Sequence, residues 1–363
     1  MAYTTIDKPT DYFNTKLYTG NGSTQSITGV GFQPDWTWIK PRSVSYGHSL
    51  HDSVRGASKR LISNNSGAED TFNAFESFDS DGFSLSVDGG VAINDNTETF
   101  VSWNWLAGGT ASSNTDGSIT STVSANTTAG FSIVKWTSST GADTVGHGLG
   151  VTPQVVISKT RSVSNNWSVH TTVFDGSNDY LFLNLANGSG NSSYAVPTSS
   201  IFNYNYGSIT DHISYVFAEK KGYSKFGSYT GNGNSDGTFV YLGFKPAVII
   251  AKLSSGTSDW RIYDNKRLGY NVDNNPLRIN DSRAEETDDN IDFLSNGFKW
   301  RTTDGALNGS GSTYFYMAFA SSPFVTSTGI PTTARWYEIC VSLYYLLCDH
   351  RFVQQHNIIT SRI

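Results

Sequence analysis

The chain has 363 residues, 37% of them hydrophobic and 15% charged, which is enough apolar material for several small cores and too little charge to force disorder. Its formal net charge is −6 and no basic block or stripe occurs, so nucleic-acid binding has no electrostatic footprint. No apolar run reaches the ~18–20 residues of a membrane helix, residues 1–7 lack the pattern of a Sec signal, and the only cysteines, Cys340 and Cys348, follow Arg335. A disulfide-stapled secreted module and membrane insertion are therefore not expected.

Residues 1–11 read as a polar arm. A first unit spans 12–106. In it, Lys16-Leu17-Tyr18-Thr19 runs into the tight turn Gly20-Asn21-Gly22, and Gly31-Phe32-Gln33-Pro34 leads the run Asp35-Trp36-Thr37-Trp38-Ile39-Lys40. The alternating run 48–52 follows, then the turn Asp79-Ser80-Asp81-Gly82-Phe83 and a closing aromatic strand over 99–105. Residues 107–129 are nearly all Gly, Ala, Ser, Thr, Asn and Asp and read as a linker with room for one short strand.

A second unit spans 130–221, with Gly150-Val151-Thr152-Pro153 before Val155-Val156-Ile157-Ser158-Lys159. A third spans 222–324, with Gly243-Phe244-Lys245-Pro246 before Ala247-Val248-Ile249-Ile250-Ala251-Lys252. Proline lacks an N–H and suits the first residue of a strand. The runs behind it are β-branched and apolar on both parities in the second and third copies, as in a strand covered on both faces. Tyr18, Trp136 and Tyr229 precede their prolines by 16, 17 and 17 residues, so one register runs through all three copies. Residues 325–363 form an exit and an extension unlike the repeats.

Units of this size exceed solenoid repeats and suit small sandwiches. The expected fold is all-β: three tandem small antiparallel β-sandwich domains of jelly-roll or lectin-like type.

Candidate chemistry is sparse. Asp79 and Asp81 match a turn better than a calcium loop, because the distal glutamate of an EF-hand is missing. Glu69, Asp70, Glu76 and Glu98 do not recur as a pair in the other units, which argues against a glycosidase. His48 and His51 with Asp52 and Ser53 cannot converge as neighbours on a strand. No cofactor, metal or catalytic group is expected. Aromatic rings stack on the apolar faces of sugars, and Tyr46, His48, Trp167, Trp260 and Tyr263, with Tyr204 and Tyr206, are the candidates for ligand or host-surface contact. The loops around 44–48, 163–167 and 255–260 differ most between copies and are the expected functional loops.

In their order, Gly31-Phe32-Gln33-Pro34-Asp35, Asp52-Ser53-Val54-Arg55-Gly56, Asp79-Ser80-Asp81-Gly82-Phe83, Val145-Gly146-His147-Gly148-Leu149-Gly150 and the segment Gly222 to Gly233 resemble repeat-built virion proteins of marine tailed bacteriophages, including those of cyanobacteria. The resemblance covers about residues 12–335 and implies a phage particle as the setting, with no catalytic residues to carry over. The expectation is a non-enzymatic virion structural protein of tail-fibre or adhesion type, assembled in the host cytoplasm. Its expected partners are other virion proteins, a host-surface glycan or protein, and further copies of itself. The alternative is a capsid decoration or horn-like appendage. A polysaccharide-binding depolymerase ranks third.

Overall fold

The computed structural model describes residues 3–87, 92–267, 271, 275–287 and 291–332. Cys340, Cys348 and the rest of the extension after Arg335 lie outside the described residues. Strand accounts for 44% and helix for 1%, as expected for an all-β chain of sandwich type.

The first unit contains β1 (Phe13–Thr19), β2 (Gln25–Thr28), β3 (Trp36–Pro41), β4 (Ser49–Asp52), β5 (Lys59–Arg60), β6 (Asp70–Thr71), β7 (Phe75–Asp79), β8 (Gly82–Leu85) and β9 (Thr99–Trp105). Then come β10 (Ser112–Asn114), β11 (Ser121–Asn126), β12 (Phe131–Thr137), β13 (Asp143–Gly146), β14 (Val155–Thr160), β15 (Ser168–Thr171), β16 (Asp179–Phe182), β17 (Gly190–Asn191), β18 (Ile201–Tyr204) and β19 (Asp211–Phe217). The third unit contains β20 (Ser224–Thr230), β21 (Phe239–Tyr241), β22 (Phe244–Leu253), β23 (Arg261–Asp264), β24 (Leu277–Arg278), β25 (Ile291–Leu294), β26 (Gly297–Trp300) and β27 (Thr313–Pro323).

Among the described residues each unit has one large and one small sheet, and the first adds the two-stranded β5-β6. The large sheets share the antiparallel order β1-β9-β3-β4, β12-β19-β14-β15 and β20-β27-β22-β23, and the small sheets are β2-β8-β7, β13-β18 and β21-β26-β25. Tyr18, Trp136 and Tyr229, the residues that mark the repeat register, pair with Phe100, His212 and Tyr314 on the closing strands. Their rings stack at 5.1, 4.1 and 4.9 Å. Gly31, Gly150 and Gly243 have φ of 92°, 69° and 78°, a left-handed turn conformation that a side chain would strain.

Alternate residues of each large sheet face two different cores. Ile39 and Phe100, Val156 and Val216, and Ile249 and Ala318 point at the small sheet of their own unit. Trp36, Trp38 and Trp103, Val155, Ile157 and Tyr215, and Val248, Ile250 and Met317 point the other way, into one core that all three units share. The sandwiches therefore do not hang as beads. Trp36 of the first unit stacks on Tyr215 of the second at 4.2 Å, and Phe217 of the second meets Phe319 of the third at 5.7 Å. Phe13 of the first unit lies 5.5 Å from Phe319, which closes the ring.

Three seams repeat one set of hydrogen bonds around this ring. The lysine one residue before the end of each central strand is buried and donates to a main-chain carbonyl of a neighbouring unit: Lys40 to Ser282 at 3.2 Å, Lys159 to Ser66 at 3.3 Å and Lys252 to Ala186 at 3.0 Å. The ring nitrogens of His48, Trp167 and Trp260 donate to the carbonyls of Arg278, Ile62 and Phe182 at 2.8, 2.9 and 2.9 Å. The amides of Glu285, Glu69 and Ser189 reach the carbonyls of Arg42, Arg161 and Ser254. In every case the first unit bonds to the third, the second to the first and the third to the second.

The side chains beneath these seams differ. Asp52 pairs with Arg55 in full burial and accepts the Tyr215 hydroxyl at 2.8 Å, while Glu69 joins Arg55 to Arg161. The seam between third and first units repeats this as Asp264–Arg267 with Trp103 Nε1 at 3.0 Å, and Glu285 joins Arg267 to Arg42. Burial opposes ionisation of both glutamates, and their arginines outweigh it, holding each below the usual carboxylate range. At the remaining seam the positions of the Asp–Arg pair are Thr171 and Phe174, the latter packed on Phe315. The hydrogen-bonding Tyr215 or Trp103 is replaced there by Met317, which has no N–H or O–H to donate.

The structure corrects two expectations and adds detail to a third. The linker 107–129 carries two strands rather than one: β10 pairs with β11 and β11 with β12, so both join the second large sheet, which with β16 and β17 has eight strands. The arm 1–11 is anchored, with Ile6 in the shared core and Asp7 accepting the amide and hydroxyl of Ser327. Pro34 and Pro153 precede their strands, but Pro246 lies within β22, where the register shifts on either side of it. A bulge tolerates the missing N–H.

Two outcomes are expected. Arg55→Ala leaves Asp52 buried without its cation and should cost about 3–5 kcal/mol, read from urea unfolding. The second concerns Lys40, which burial lowers from its ordinary 10.5 to about 7, and Lys159 and Lys252, which it lowers to about 8. Between about pH 7 and 10 the folded chain binds fewer protons than the unfolded one, so stability climbs with pH, by at most about 1.4 kcal/mol per unit for each lysine. Lys40→Met should flatten the rise of the urea midpoint across that window, and an unchanged slope would contradict the assignment.

Candidate ligand-binding site

Four of the five residues expected at a ligand or host surface are interior. Trp167 and Trp260 are fully buried seam donors, their amides held by Asn184 and Asn280. His48 is their counterpart in the first unit, its amide held by Asn64. Its Nδ1 accepts Trp38 Nε1 at 2.7 Å, so the proton sits on Nε2 and points at Arg278. Burial, with Lys40 adding to it, lowers His48 to about 3, which keeps the ring neutral. Tyr263 is buried in the third unit's own core, 5.7 Å from Trp300. Tyr46 is half-buried beside Ser45, whose hydroxyl accepts the amide of Ala284. The three variable loops are seam loops too: Asn165 bonds to Ser66 and Ser258 to Ala186.

Glu76 is exposed on β7, and the other candidate catalytic groups are engaged. His51 lies between Ser49 and the carbonyl of Ala57 and stacks on Phe75 at 4.4 Å. Glu69 belongs to the seam, Asp70 pairs with Arg60, and Glu98 accepts Ser43. The carboxylate of Asp81 accepts the amides of Gly29 and Gly31, the backbone role its turn suggested.

An open site occurs where the second unit departs from its sisters. In the first unit the small sheet has a third strand, β7, and in the third unit β25. These carry Phe75 and Phe293 into the unit cores. The second small sheet stops at β13-β18. His170 occupies the place of His51 and Tyr263, but among the described residues no strand covers it. It faces Tyr194 at 5.1 Å, Tyr204 at 6.1 Å and Tyr180 at 6.4 Å.

The result is a cavity of about 290 Å³ walled by Tyr180, Phe182, Tyr194, Tyr204 and Tyr206. Asn165, Asn166, Asn191 and two serines form its polar rim. Tyr194 is fixed by its hydroxyl, which donates to the carbonyl of Asn205 at 2.8 Å. Tyr180 lies against Gly190 of β17, its cross-strand partner, where an added Cβ would sit 2.8 Å from the ring. Burial lowers His170 to about 4 and raises Tyr204 to about 12, so both are uncharged at neutral pH. At the floor, Ser168 Oγ and His170 Nδ1 make no hydrogen bond of ordinary geometry, although Tyr204 and Asn178 lie beside them.

Sequence reasoning pointed to Tyr204 and Tyr206 and missed Tyr180, Tyr194 and His170. The available signal was a gap in the repeat. Asp81-Gly82-Phe83 and Asn296-Gly297-Phe298 mark the small-sheet hairpins of the outer units, whereas Thr198-Ser199-Ser200-Ile201 stands there in the second. A second cavity, of about 310 Å³, lies where the arm meets the third unit, with Lys221 over Tyr3 and Lys225 over Tyr241.

Comparison with known families gives one match: the model of a domain of unknown function, DUF7483, fits residues 8–323. The chain belongs to that family. The match begins beside the short helical turn Pro9–Asp11 and ends with β27, so the DUF7483 unit is the closed ring of three sandwiches rather than one repeat. No curated protein and no solved structure matches the chain.

The burial of the indoles makes a direct test. Trp260→Ala should cost about 3–5 kcal/mol, measured by chemical denaturation, because it opens a cavity in the shared core and removes the indole's hydrogen bond to the Phe182 carbonyl, which keeps only the amide of Leu185. A surface ligand residue in that position would leave the midpoint nearly unchanged.

Proposed function

We propose that this DUF7483 chain is a non-enzymatic structural component of a tailed-phage particle, of tail-fibre or adhesion type, which meets the host surface through the pocket of its second unit. The observation that carries the reading is that pocket: one of three otherwise equivalent sandwiches lacks a covering strand and turns aromatic and amide side chains outward. The other two units fill the same place with phenylalanine. The resemblance of the ordered repeat motifs to marine-phage virion proteins supplies the setting. The ring supplies a stiff mount, because its seams bury charged and aromatic groups that no unit satisfies alone. Other virion proteins are its partners on the particle, and a host glycan or protein is its target.

The ring also favours a second reading. Three similar lobes around a common core present a near-threefold outline, which suits a decoration protein seated on a symmetric capsid position.

Gold-labelled antibody against the chain, applied to intact virions, separates the two. Label on the tail and blocking of adsorption by the purified chain are the expected results, and label on the head would replace the first reading with the second. Release of reducing ends from host polysaccharide would overturn the non-enzymatic assignment.

A further inference from the structure

We infer that the second-unit pocket holds a single uncharged pyranose ring, the terminal residue of a neutral glycan. This names the ligand class of the pocket invoked above and relies on that reading only for the sugar's being on the host. Size is the first argument. At about 290 Å³ the cavity sits at the lower end of ordinary ligand sites, which run from roughly 300 to 1,000 Å³, and it has room for one ring rather than an extended chain.

The lining is the second argument. The rings of Tyr180, Tyr194 and Tyr206 offer flat π-surfaces of the kind that stack on the C–H face of a sugar. Asn165 and Asn166 at the rim each bring amide N–H donors, and their oxygens, which accept from Asn166 N and Asn184 Nδ2, keep a second lone pair for a sugar hydroxyl. No Asp, Glu, Lys or Arg contributes to the wall among the described residues. A sialic or uronic acid would bring a carboxylate into a site without a cation, which costs desolvation with nothing to offset it. His170 does not supply that cation, since burial keeps its ring neutral at ordinary pH.

The third argument is the unit's own repeat. In the first unit the equivalent histidine stacks directly on Phe75. A ligand ring entering the second unit would take the place of that missing aromatic, over His170. Gly190 permits this arrangement by letting Tyr180 lie close against β17.

The test is titration of the full chain with methyl glucoside, methyl mannoside, methyl galactoside and N-acetylglucosamine, followed by ligand-observed NMR. At least one should bind with a Kd on the order of millimolar, and the Kd should hold from about 50 to about 500 mM salt. Tyr194→Ala should weaken binding at least about tenfold while Tyr194→Phe retains it, since the stacking face matters more than the hydroxyl. Ser193→Trp at the exposed rim should block entry without disturbing folding, and Gly190→Ala should weaken binding by displacing Tyr180. Absence of binding to every neutral sugar, preference for sugar acids, or full affinity in Ser193→Trp would overturn the inference. A chain that blocks phage adsorption yet ignores neutral sugars would reject the ligand class and leave the adhesion reading standing. A chain that binds sugar but labels the capsid would do the reverse.

Discussion

Everything in this fold follows from large sheets that are apolar on both faces. A two-sheet sandwich ordinarily covers one face of each sheet and gives the other to water. Here Trp36, Trp38, Trp103 and Trp105 of one unit, and Ile157, Tyr215 and Phe217 of the next, lie on the face that a lone sandwich would expose. No unit can satisfy that surface by itself. Three units back to back can, and the shared core is the consequence.

The seams show how repetition and divergence coexist. Main-chain partners are kept at all three, because carbonyls and amides stay in place whatever the side chains become. Side-chain partners change in concert. Where the neighbouring strand offers Tyr215 or Trp103, an aspartate and arginine are buried beside it. Where that strand offers Met317, Thr171 and Phe174 stand instead. A buried aspartate facing a thioether would lack one of its hydrogen bonds, so the charged pair and its donor are present or absent together. The third seam is correspondingly held by packing and by Ser189 on Ser254.

Much of this was legible in the chain. The strand register and the two-sided central strands follow from Gly-x-x-Pro and from the tyrosine or tryptophan ahead of it. The seams were not, because a lysine ending a strand normally reads as a surface residue, and Trp167 or Trp260 in a variable loop as an exposed aromatic. Their burial depends on a neighbour that local pattern does not reveal. One clue was present: Asp52-x-x-Arg55 and Asp264-x-x-Arg267 each begin 18 residues after their prolines, a recurrence of charge where a solvated loop would need none. The pocket was harder still, since its signal is a strand that one copy lacks.

The closed ring gives the order of synthesis a physical meaning. The first unit emerges with Lys40 and His48 already placed, but their acceptors, Ser282 and Arg278, lie 242 and 230 residues further on. Until the third unit arrives, the first presents an unfinished seam rich in tryptophan, and any third unit within reach can complete it. A neighbouring chain on the same polysome offers such a unit. The tether of Asp7 to Ser327 joins the two ends of one molecule and favours closure within it.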